Sequence, residues 1–167
     1  MAKTVSEKEV EKLLNQVPWY DNGTIIYSKY PIELPARDCC STDPDKFRNG
    51  ARMLMEMAAV GRKDAMFMFF GLFEYYKTDY KKLEVIVYSI PHSENEKFVH
   101  FLFDFFERTE SSNSSRIFLN QMLQNLEYVN KEIAIQRFKQ LLENPKYSHR
   151  MKAKFEEILY RIDSNME

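Results

Sequence analysis

A chain of 167 residues with 24 Lys and Arg against 25 Asp and Glu carries a net charge of −1, so it lacks the basic excess that a nucleic-acid binder usually shows. Thirteen Phe and ten Tyr, beside only four Gly and six Pro, oppose an all-β chain of tight turns and favour long helices around one hydrophobic core. The start "MAKTVSEKEVEKLL" lacks the apolar run of a secretory signal, and two adjacent cysteines, Cys39 and Cys40, make no disulfide framework, so one domain (1–167) in a reducing cytoplasm is expected.

In chain order, Ser6 followed by Glu9 forms a capping box and predicts a helix from about Glu7 to Gln16, ended by Pro18. The next stretch, to residue 43, is the least helical part. Asn22-Gly23 between "WY" and "TIIY" signals a β-hairpin within 19–30, the alternative being an irregular loop whose aromatics are pinned to the helices. Asp43 and Pro44 then read as N-cap and first residue of a helix with a Phe47, Ala51, Leu54 and Ala58 stripe, closed by Gly61.

"AMFMFFGLFEYY", Ala65 to Tyr76, is too short to span a bilayer because Arg62, Lys63, Asp64 and Glu74 confine its apolar run. As a helix it is apolar almost all round, which predicts a central, surrounded element with another backbone close to Gly71. Residues 78–90 place Tyr80, Leu83, Ile86, Val87 and Ile90 at helical spacing, though their β-branched run also suits a strand. Ser93 with Glu96 predicts a capped helix "ENEKFVHFLFDFFERTE", and "ESSNSSR" reads as a linker. Three further helices follow, the second capped by Asn130 and the third opened by Ser148.

About eight helices in antiparallel pairs therefore make an all-α fold. The pairs start near Pro44, Thr78, Ser112 and Ser148, a step of about 35 residues. In these element lengths, residues 44–163 resemble HEAT and armadillo helical repeats; an irregular helical bundle is the alternative.

Chemistry is sparse. On the helix from Glu94 to Arg108, Glu96, His100, Asp104 and Glu107 stack into a polar ridge between two apolar stripes. Such a ridge can chelate a metal, but the paired Glu-x-x-His helices of a di-iron bundle are missing, so a solvated ridge is the plainer reading. Cys39 and Cys40 precede a helix, whose N-terminus would activate a thiol, yet His92, His100 and His149 stand in no recognisable hydrolase context. P-loop, GxGxxG, GxSxG and HExxH motifs are absent from the sequence. No catalytic residue, metal or cofactor is expected.

Residues 111–167 carry a net +2. Arg137, Lys139, Lys146, Arg150, Lys152, Lys154 and Arg161 there would make a phosphate-gripping face, were they not diluted by Glu143, Glu156, Glu157 and Asp163.

In size, acidic ridge and aromatic richness the chain resembles small bacterial immunity proteins. That resemblance implies a non-catalytic module that occludes the active site of a partner toxin, of nuclease type. Glu74, Asp104 and Glu107 would meet basic groups of the partner, with Trp19, Tyr20 and Tyr30 as aromatic anchors. A metal-dependent enzyme using Glu96, His100 and Asp104, and a nucleic-acid-binding repeat using the basic face, are the rival readings.

Overall fold

The computed structural model describes residues 6–14, 16–90 and 95–164. Among them are nine α-helices and one two-stranded antiparallel sheet, an all-α fold with a hairpin as expected. No described helix is long and apolar enough to cross a membrane. Residues 1–72 and 73–167 form two compact units.

The first unit opens with α1 (Glu7–Leu14), and its predicted capping box is made. The Ser6 amide donates to Glu9 Oε2 at 2.9 Å, and the Glu9 amide to Ser6 Oγ at 3.4 Å. The hairpin pairs β1 (Tyr20–Asp21) with β2 (Thr24–Ile25). Its two-residue loop holds Asn22 at φ 46° and Gly23 at φ 83°, the left-handed pair that a twist-matched turn requires. A 3-10 turn (Tyr27–Lys29) leads to α2 (Glu33–Cys39), a helix not expected from the sequence. Pro35 falls in its first turn, where a helix needs no proline amide. Cys39 and Cys40 consequently end α2, with Cys40 as its C-cap, rather than leading into α3.

Helix α3 (Pro44–Ala59) begins as predicted, the Asp43 carboxylate accepting from the amides of Asp45 and Lys46. It ends in a Schellman motif: Gly61 sits at φ 87°, its amide donates to the Ala58 carbonyl, and the Arg62 amide donates to the Met57 carbonyl. The α2 helix lies against α3 at Gly50. A Cβ built there would stand 2.7 Å from the Pro35 carbonyl oxygen and 2.8 Å from the Cys39 nitrogen.

Helix α4 (Lys63–Tyr75) corrects the reading of the apolar run. Ala65, Phe69, Leu72 and Phe73 are buried, whereas Phe67 is 69% and Tyr75 77% exposed, and Gly71 is exposed too. A Cβ at Gly71 would meet nothing within 4 Å. One buried row is enough to hold the helix, so the opposite row need not be covered. The close backbone approach expected at Gly71 occurs at Gly50.

In the second unit, α5 (Tyr80–Tyr88) settles the helix-or-strand choice as helix, with Asp79 accepting from the Lys82 amide and Leu83, Ile86 and Val87 buried. Helix α6 (Glu96–Arg108) buries both predicted stripes apart from half-buried Phe101. Its N-cap is Asn95, accepting from the Phe98 amide, in place of the expected Ser93, which lies outside the described residues. The run "ESSNSSR" is a folded turn rather than a linker. Ser115, fully buried, donates its hydroxyl to the Glu110 carbonyl at 2.6 Å and accepts from the Ser112 amide at 2.9 Å.

Helices α7 (Arg116–Leu126), α8 (Lys131–Glu143) and α9 (His149–Ser164) complete the chain, with Asn130 and Ser148 capping α8 and α9 as predicted. Alternate helices stack: α5 lies on α7 and α6 on α8, while α6 meets α7 and α8 meets α9. Their core is aromatic. Phe73 contacts Phe105 edge-on at 4.9 Å, Phe105 meets Phe118, Phe103 meets Phe138, and Phe106, Tyr147 and Phe155 close the far end.

Candidate functional site

Glu74, Asp104 and Glu107, the acids expected to meet a partner, each face an arginine of a later helix. Glu74 at the end of α4 pairs with Arg108 of α6, both about half exposed. Asp104 and Glu107 of α6 share Arg137 of α8, the Asp104 contact measuring 2.7 Å. His100 Nδ1 lies 3.5 Å from the same guanidinium. Arg137 also stacks 5.3 Å above the Phe103 ring, and its side chain is only 14% exposed. Burial lowers the pKa of Arg137, but hydrogen bonds to Asp104 and Glu107 outweigh that and raise it.

One row away the pattern repeats. Arg161 of α9 grips Glu127 with two parallel bonds of 2.8 Å, and Lys154 of α9 donates to Asn120 of α7 at 2.6 Å. In four of these contacts an acceptor precedes its cation by 33 or 34 residues: Glu74–Arg108, Asp104–Arg137, Asn120–Lys154 and Glu127–Arg161. These are clasps between a helix and the next but one. A search for identical residues at a fixed step passes over them, because the recurring signal is an acid or amide at one position and a cation a step later.

The clasp changes the chemistry of the α6 ridge. Glu96, His100 and Asp104 are exposed on one face, but Arg137 occupies the space a cation would take beside His100 and Asp104. Among the described residues no three His, Cys, Asp or Glu are grouped so as to hold a metal ion. Beneath the clasp, Tyr147 is stacked on Phe106, and burial, aided by the charge of Glu107, pushes its phenol up to about 12. Its hydroxyl and Arg137 Nε are both buried without a hydrogen-bond partner among the described residues.

No family model, curated protein or solved structure matches this chain.

In the first unit, Trp19 and Tyr30 meet edge-on at 4.8 Å, both half-buried, and the Tyr30 carbonyl accepts from the Arg62 guanidinium, which also pairs with Asp64. Tyr20, in β1, is half-buried as well. Cys39 is fully buried and Cys40 exposed at the carbonyl end of α2, the end of a helix dipole that disfavours an anion.

In the second unit the open aromatics are others: Tyr88 is 79%, Tyr75 77% and Tyr160 74% exposed, and Tyr128 is exposed beside the clasped Glu127. The sequence hid them, since a tyrosine one residue out of a buried stripe looks like part of it.

Proposed function

We propose that this chain is a non-catalytic protein-binding module which acts by covering its partner, the mode that the immunity-protein resemblance implies for a toxin. The observation that carries the reading is the set of tyrosines held in the open on the helices of the second unit, Tyr75, Tyr88 and Tyr160. Large aromatics with a polar tip keep few rotamers and desolvate well, which makes them the usual anchors of a protein interface. Because Glu74 is paired with Arg108, and Asp104 and Glu107 with Arg137, their part is to fix the helices, with rim electrostatics secondary.

The test is purification of the tagged chain from its native host, followed by gel filtration. A stoichiometric complex is expected, lost in the triple variant Tyr75→Ala, Tyr88→Ala and Tyr160→Ala at unchanged melting temperature. A triple variant that holds its partner as well as the parent, or a chain that always runs alone, would overturn the reading.

A further inference from the structure

A cleft of about 310 Å³ opens where α7 and α9 begin, and its charged lining is of one sign. Arg116, Arg150 and Lys154 border it, with Ser111, Ser148 and Asn120 as polar neighbours and no carboxylate among the lining residues. The elsewhere repeated habit of this unit is to answer each arginine with an acid, as at Arg108, Arg137 and Arg161. Here it fails. Among the described residues Arg116 and Arg150 have no hydrogen-bond or ion-pair partner.

Helix chemistry fails at the same place. An α-helix favours acids in its first turn, where the dipole is positive. Neither α7 nor α9 has one there; Arg116 opens α7, and Arg150 follows His149 at the start of α9. Ser115, the residue placed to cap α7, makes no side-chain bond to its amides because its hydroxyl is turned back to the Glu110 carbonyl. Three cations thus border one cavity with no carboxylate in its lining. Departures from local rules that coincide in one cleft mark a site whose missing element is supplied from outside.

We infer that this cleft binds the phosphate group of a small phosphomonoester. Arg116 and Arg150 supply planar, forked donors suited to phosphate oxygens, and Lys154, held by Asn120, supplies a point charge. The volume exceeds one phosphate ion and lies at the lower end of small-ligand pockets, leaving room for a compact organic group against Leu119 and Met151.

The probes are inorganic phosphate and glycerol phosphate, titrated at constant ionic strength while the backbone amide resonances are followed by NMR. Saturable shifts are expected at Arg116 and at residues 148–151, with glycerol phosphate the tighter ligand. Arg116→Gln and Arg150→Gln should each weaken binding about tenfold, the worth of one charge-assisted hydrogen bond, while Lys139→Gln, at an exposed position of α8, leaves it unchanged. Shifts that fail to saturate, or that weaken equally in Lys139→Gln, overturn the site. A third arm uses oligonucleotides of increasing length. Affinity that grows with length through the same arginines overturns the small-ligand assignment in favour of nucleic acid.

Discussion

Gly50→Ala tests the packing of the first unit at its tightest point. The new methyl would lie 2.7 Å from the Pro35 carbonyl oxygen, 2.8 Å from the Cys39 nitrogen and 2.9 Å from Asp38 Cβ. Two of the three are backbone atoms of α2, so no rotamer change relieves them. The helix as a whole must retreat by about 0.7 Å to restore an ordinary 3.4 Å contact. Overpacking of this kind costs about 1–3 kcal/mol, and replacing a mid-helix glycine by alanine returns up to about 1 kcal/mol. A net loss of about 1–2 kcal/mol follows, a fall in melting temperature of about 3–6 °C for a chain of this size.

Gly71→Ala is the internal control. It has the same helical propensity gain and open space around it, so its melting temperature should rise by about 2–4 °C. Circular dichroism melts of both variants, with urea titrations beside them, give the comparison. If Gly50→Ala melts at or above the parent, or Gly71→Ala falls further than Gly50→Ala, the placement of α2 on α3 is wrong.

Tyr147→Phe should be neutral or stabilising, since it removes a buried hydroxyl that has no partner. The same variant should resist alkali better. With a folded pKa near 12 against about 10 unfolded, the stability tied to the Tyr147 proton is intact below pH about 10 and lost as pH rises towards 12. Urea midpoints measured across that range check the sign. Arg137→Met should cost about 1–2 kcal/mol because its guanidinium is nearly buried, while Arg48→Met, in an exposed pair with Asp45, should change stability by no more than about 0.5 kcal/mol. Equal losses in the two would deny the Arg137 clasp its role. One thiol, Cys40, should react with a thiol reagent in the native protein and two in urea, since Cys39 is fully buried; rapid native labelling of both would contradict the burial of Cys39.

Local chemistry was legible where a residue acts on its near neighbours. The Asp43 and Asn130 caps, the Asn22-Gly23 turn, the Gly61 stop and the two stripes of α6 all rest on spacings of two to four residues, and all are in the structure. What depends on distant partners was not. Nothing near Gly50 in sequence distinguishes it from Gly71, because the difference is Pro35 and Cys39 arriving from another helix. The ridge of Asp104 and Glu107 looked open because its partner, Arg137, lies some 30 residues on. The serine turn was misread for the opposite reason: its polarity suggested solvent, yet Ser115 finds its partners locally and is buried.

The adjacent residues Glu107 and Arg108 serve opposite neighbours, the first holding Arg137 and the second Glu74. Suppose α6 were to seat one residue out of step, by a screw of about 100° and 1.5 Å along its axis. One slip carries Glu107 to the position facing Glu74, and the reverse slip carries Arg108 to the position facing Arg137. Either error sets like charge against like. Either slip would also carry Asp104 into a buried aromatic position, that of Phe105 in one direction and of Phe103 in the other, so the packing of α6 and the alternation of sign at this single peptide step penalise the same misalignment.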